Sequence, residues 1–226
     1  MTCVLSPPVV RGREEGDPVL PAVGARRLLA DPYAVDAVCA ALSEVYEAYE
    51  PSASSAASAA GGGRGAPVVL AATDYSGYAA DEFVARRDDV GRRLRARDSV
   101  ALEPSGLLQR FIATTGWRGP GYVLGSRPAD ARAAVGLARA MAGSGRAPCV
   151  YVCEVLRRPD TGVFWAVATR VAPGGPPAAP PVSPPLSPPA PVSVRVPVPV
   201  PPGMGAALWE RSAVARAYLR QIALTT

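Results

Sequence analysis

The chain contains no histidine, no lysine and no asparagine, and all 24 of its basic residues are arginine. Each absence closes a class of chemistry. Without histidine there is no Ser-His-Asp or Cys-His nucleophile pair and no histidine metal site. Without lysine there is no phosphate-loop lysine, no Schiff base and no kinase-type lysine. The run Gly61-Gly62-Gly63-Arg64-Gly65 is therefore read as a linker and not as a phosphate-binding loop. Lysine and asparagine have AT-rich codons, so their loss reads as a GC-rich genome, such as that of an actinobacterium or a large DNA virus.

Other features are scarce. Aromatic residues make up 6% of the 226 residues, and the four cysteines, Cys3, Cys39, Cys149 and Cys153, form no Cys-x-x-Cys pair. Cys149 and Cys153 share one face of an expected strand, about 13 Å apart, too far for a disulfide. No apolar run is long enough to span a bilayer, and the first residues lack the charged and apolar regions of a signal peptide. The expectation is a soluble intracellular protein of cytoplasm or nucleus, with no cofactor and no metal.

What is abundant is proline and glycine, 26 and 22 residues, well above ordinary usage. They punctuate the chain. Residues 1–27 read as a flexible arm. Residues 28–50 form an acidic amphipathic helix, with Asp31 as N-cap, Pro32 at the first helical position and Pro51 as the stop. Val35, Val38, Cys39, Leu42, Val45 and Tyr46 recur at helical spacing. Residues 31–50 carry charge −5 within a chain of +5, which makes the polar side of this helix a candidate docking surface. Residues 51–66 read as a Ser/Ala/Gly linker.

Residues 67–172 read as an α+β core. Val68–Ala72 is an expected strand, Asp74–Gly77 a turn, 81–97 a helix, and Leu107–Thr115 a further strand. A helix starts near Pro128 and ends at Gly143. A β-hairpin, 148–156 with 163–171, closes the core around Arg158-Pro159-Asp160-Thr161-Gly162. The fold class is α+β: one compact domain with a C-terminal β-hairpin and flexible Pro-rich and Gly/Ser/Ala-rich segments. In residues 173–203, 14 of 31 positions are proline, which predicts an extended polyproline spacer. Residues 204–226 read as a C-terminal helix.

Two segments look like interaction equipment. The pairs Pro180-Pro181, Pro184-Pro185 and Pro188-Pro189 give the PxxP spacing that aromatic grooves recognise, and Ser183 and Ser187 precede prolines as candidate phosphorylation sites. Arg92, Arg93, Arg95 and Arg97, with Arg86 and Arg87, form the densest basic run, suited to phosphate or carboxylate. The candidate carboxylate pairs, Glu14/Glu15, Asp81/Glu82 and Asp88/Asp89, are sequence neighbours that point different ways, so no catalytic residue is assigned.

One resemblance bears on fold. Phe111-Ile112-Ala113-Thr114-Thr115, followed by a helix and a strand-turn-strand unit, resembles the Ser-Thr-Ser strand region of the ADP-ribosyltransferase toxin A subunits, with Val68–Asp74 in place of their first strand. The family's arginine is Ala72 here, its first serine is Ala113, and no glutamate lies between Glu154 and Glu210. The resemblance thus implies an inactive relative. The reading that follows is a non-enzymatic accessory or adaptor protein making protein–protein contacts; were the source viral, it would be virion-associated or host-modulating. The alternatives are a degenerate ADP-ribosyltransferase-like protein and an arginine-mediated nucleic-acid binder.

Overall fold

Val68–Ala71 and Val150–Arg157 are Val-rich runs, and both form strands buried on their two faces. Burial on both faces needs helices above and below, which is the arrangement found in this computed structural model. It describes residues 2–13, 30–49, 65–91, 93–125, 130–158, 160–174 and 206–224. The elements are β1 (Cys3–Leu5), β2 (Val9–Arg13), α1 (Pro32–Tyr49), β3 (Val68–Ala71), α2 (Thr73–Asp88), α3 (Ala96–Val100), a 3₁₀ turn (Pro104–Leu108) and α4 (Gln109–Thr115). They continue as β4 (Gly121–Leu124), α5 (Asp130–Gly143), β5 (Val150–Arg157), β6 (Phe164–Pro173), α6 (Ala206–Arg211) and α7 (Ala213–Ala223).

The sheet runs β1-β6-β5-β3-β4, with β2 also paired to β6. β3 is parallel to both β4 and β5, whereas β5 and β6 form the expected antiparallel hairpin. The hairpin turn uses Gly162 at φ 72°, a left-handed geometry that glycine adopts without cost. The two faces of β5 feed two cores. Tyr151, Cys153 and Val155 pack toward α1, α2 and α4, while Val150, Val152 and Leu156 pack toward α5, α6 and α7. Cys149 and Cys153 do share a face and are free thiols; burial pushes the Cys39 and Cys153 thiols up.

α1 starts where expected. The Asp31 carboxylate accepts the amides of Tyr33 and Ala34 at 2.9 and 3.1 Å. Its apolar stripe is buried, as expected. Ten of its residues are buried, Asp36 among them, because it lies across β5 and β6 as the centre of one core. Asp36 is paired with the buried Arg110 of α4, and Glu44 with Arg11 of β2. Two of the acidic residues are therefore engaged inside the fold.

The amino-terminal residues are strands, which corrects the expectation of a free arm for those positions. Leu5 and Val10 are buried against the second core, and β1 and β2 lie end to end along the edge of β6. Pro7 and Pro8 fall at the break between them, where an edge strand tolerates a missing donor. Ser6 bridges that break: its amide donates to Arg170 O at 2.9 Å, and its carbonyl accepts the Thr169 hydroxyl at 2.7 Å.

Three core elements also differ from expectation. Leu107–Thr115 is a 3₁₀ turn and a helix, because Leu107, Leu108, Arg110 and Phe111 bury one side only and Gly116, at φ 66°, caps the end. This removes the strand on which the toxin resemblance rested. Asp74–Gly77 is the first turn of α2, and the helix ends at Asp88, well before Arg97. Asp89 stops it: its backbone is extended and its side chain accepts the Gly91 amide at 3.0 Å. The carboxy-terminal segment docks on the sheet as two helices broken at Ser212, so α1, the described residues of 67–172, and residues 206–224 share one fold.

Candidate interaction surface and polar crevice

The segment holding the predicted arginine run leaves the core as it proceeds. α2 buries only Tyr75 and Ala79, both in its first half, so its second half stands clear of the sheet. Beyond it, Arg93 and Arg95 are exposed and form no ion pair among the described residues. Arg86 reaches Glu82 at 3.5 Å and Asp98 at 3.8 Å, and Arg87 pairs with its neighbour Asp88 at 2.8 Å. Arg92 lies outside the described residues, as does the side chain of Arg97. Pro180, Pro181, Pro184, Pro185, Pro188, Pro189, Ser183 and Ser187 lie outside them too.

A helix over 81–97 would put Phe83, Val90 and Leu94 together on its apolar side, but the helix ends at Asp88 and leaves Val90 and Leu94 exposed. Val84, Val90, Leu94 and Val100 are all exposed, and Val90 is fully so. They interleave with Arg87, Arg93 and Arg95 over 17 positions. Isolated exposed aliphatics are ordinary; here four fall within one stretch that also carries exposed arginines.

A second feature lies at the carboxyl ends of the parallel strands. β3 leads into α2 on one face of the sheet and β4 leads toward α5 on the other, so the chain diverges there and leaves a crevice. It has a volume of about 200 Å³ and is lined by Thr73, Asp74, Ala131, Glu154, Arg211 and Arg216, among others. Glu154 stands level with Ala71 in the β3–β5 register and is 4% exposed. Its Oε2 accepts the Ser212 hydroxyl at 2.7 Å and the Val214 amide at 3.1 Å. Ser212 Oγ in turn accepts the Ala215 amide at 3.1 Å. Burial pushes the Glu154 carboxyl up, and the hydrogen bonds from Ser212, Val214 and Ala213 oppose that shift.

Asp74 does parallel work at the other wall. Its Oδ2 accepts Arg211 Nη2 at 2.8 Å and the Arg157 amide at 2.9 Å, while Arg211 Nη1 donates to Arg157 O at 3.3 Å. The two carboxylates thus fasten α6 and α7 to β5 and α2. Ser212 is fully buried and hydrogen-bonded as both donor and acceptor, so its hydroxyl is not placed as a nucleophile. The sequence did carry a signal for this crevice: Glu154 is the one charged residue between Val150 and Leu156.

Among the described residues, no group of three or more Cys, Asp or Glu is arranged to hold a metal ion, and no helix is long and apolar enough to cross a membrane. No protein-family model and no curated protein matches the chain. Seven chains of solved structures do. One of them, described as "The ishigamide ketosynthase/chain length factor", is 13% identical, with a TM-score of 0.45, over 68% of this chain and 46% of its own. This chain therefore spans less than half the length of that neighbour.

Proposed function

We propose that the protein is a non-enzymatic adaptor that docks an acidic, amphipathic segment of a partner protein on the surface formed by the second half of α2, the 89–95 connection and α3. The observation that carries this reading is the interleaving of exposed Val84, Val90, Leu94 and Val100 with the exposed, unpaired Arg93 and Arg95. Aliphatic side chains give such a contact its buried centre, and guanidinium groups at the rim select carboxylates and speed encounter. The chemistry of the crevice supports the non-enzymatic part, since its carboxylates and its serine are engaged in holding helices.

The test is a photo-crosslinking residue at position 90 in the full chain, with a second version carrying it at exposed Ala140 on α5 as a control. A discrete crosslinked partner at position 90 but not at 140, lost on Arg93→Glu with Arg95→Glu, is the expected result. Equal crosslinking at both positions, or a partner insensitive to the charge reversal, would reject the proposed surface. Capture of nucleic acid in place of protein would replace this reading with the arginine-mediated nucleic-acid binder.

A further inference from the structure

A second arginine surface lies on the opposite face of the sheet, in a groove between α5 and α7. Arg132 and Arg139 line one wall and Arg216 and Arg220 the other. We propose that this groove is an anion site for a ligand carrying two or more linked phosphate groups.

The register of the two helices builds it. Arg132 and Arg139 are seven residues apart, two turns and about 10 Å along one face of α5. Arg216 and Arg220 are four apart, one turn and about 6 Å, on the facing side of α7. Between them the floor is small: Gly136, Ala213 and Ala217. A Cβ on Gly136 would meet nothing within 4 Å, so the space above it is open, and the groove measures about 150 Å³. That is room for a short chain of tetrahedral anions between two rows of planar forks.

The charge is balanced at one corner only, where Arg216 also borders the crevice that holds Asp74 and Glu154. No carboxylate lines the groove, and none of its four arginines forms an ion pair among the described side chains. Elsewhere Arg11, Arg86, Arg87, Arg110, Arg158 and Arg211 all do. The sequence between Asp160 and Glu210 contains no carboxylate that could serve as a built-in counter-charge. Four guanidinium groups converging on one concavity repel one another, and a polyanion removes that repulsion through bidentate hydrogen bonds.

Two further observations narrow the ligand. The first amides of α7 are already taken, Val214 and Ala213 by Glu154 and Ala215 by Ser212, so the guanidinium groups and not the helix end would hold the anion. No aromatic residue lines the groove, so it offers nothing for a base to stack on; phosphate is what it can recognise.

The experiment is calorimetric titration of inorganic tripolyphosphate into the full chain, at low and at physiological salt. The variants are Arg132→Gln/Arg139→Gln and Arg216→Gln/Arg220→Gln, with Arg93→Gln/Arg95→Gln as a control on the other surface. The expected result is one site per chain, weakened about tenfold or more in each groove variant and unchanged in the control. Far-ultraviolet circular dichroism and melting of each variant establish that the fold is retained. Two added arms separate the sources of phosphate. A nucleoside diphosphate that competes while duplex DNA does not points to a free metabolite; duplex binding with the same dependence on the four arginines points to a nucleic-acid backbone. Absence of tripolyphosphate binding, equal weakening by the control variant, equal affinity for sulfate, or preference for a glutamate-rich peptide would each overturn the proposal.

Discussion

Glu154, in the middle of a buried strand, accepts the hydroxyl of Ser212 at 2.7 Å across 58 residues of sequence. That one contact joins the sheet to the break between α6 and α7. It also lets a single carboxylate satisfy the first amides of a helix whose own N-cap serine is occupied with Ala215.

The lock predicts an unusual pH dependence. Burial raises the Glu154 carboxyl above its ordinary value of 4.5, so the folded state holds a proton that the unfolded chain releases. The Glu154 contribution to stability is then fully present below about pH 4.5 and is lost as pH rises through the folded value. Glu154→Gln keeps an acceptor for Ser212 and removes the titration. Urea unfolding at a series of pH values should give a flatter profile for Glu154→Gln than for the parent. Glu154→Ala should lose about 1–3 kcal/mol by leaving buried donors unpaired. A Gln variant with the same pH slope as the parent would contradict the assignment.

The Asp36–Arg110 pair ties α1 to α4 with both side chains nearly inaccessible. Removing one partner strands a buried charge, so Asp36→Ala or Arg110→Met alone should cost about 3–5 kcal/mol. Asp36→Leu combined with Arg110→Met should recover most of it, because an apolar pair leaves no charge to desolvate. Chemical denaturation of the three variants, read as a double-mutant cycle, checks the sign.

Gly12 tests whether the amino-terminal segment is part of the sheet. A Cβ at this position would lie 2.6 Å from the Trp165 ring on the neighbouring strand. Gly12→Val should therefore displace the indole, shift its fluorescence and cost about 1–3 kcal/mol. An unaltered spectrum and stability would mean the segment is not seated on β6.

Tyr78 lies at 4.7 Å under the Arg157 guanidinium, and its hydroxyl donates to Asp31 Oδ2 at 3.1 Å. Burial, with the charges of Asp31 and Glu82, pushes its phenol up to about 12. In an ultraviolet pH titration the Tyr78→Phe variant should lose a tyrosine that ionises well above the ordinary phenol range. Asp31→Asn should bring that phenol down toward the ordinary value.

Local information in the chain was enough for several elements. Asp31-Pro32 placed the start of α1, the Val-rich runs on either side of a Gly-containing turn placed the β5–β6 hairpin, and Gly143 placed the end of α5. Caps, turns and apolar periodicity act over a few residues, so they can be read without a partner. The mixed helix-and-strand class followed from them.

Tertiary structure decided the rest. Cys3–Leu5 and Val9–Arg13 are strands because β6, more than 150 residues away, has an open edge to be paired. Leu107–Thr115 is helical because it must bury Leu107, Leu108, Arg110 and Phe111 on one side against α1. The acidic face of α1 turned inward at Asp36 because Arg110 waits there. The two arginine surfaces came apart for the same reason. Arg93 and Arg95 are neighbours in sequence, whereas Arg132, Arg139, Arg216 and Arg220 become neighbours only when α7 packs on α5. Short-range preferences reward contacts that the chain makes with itself nearby, and loop-closing contacts are set by what remains unburied once the sheet has formed.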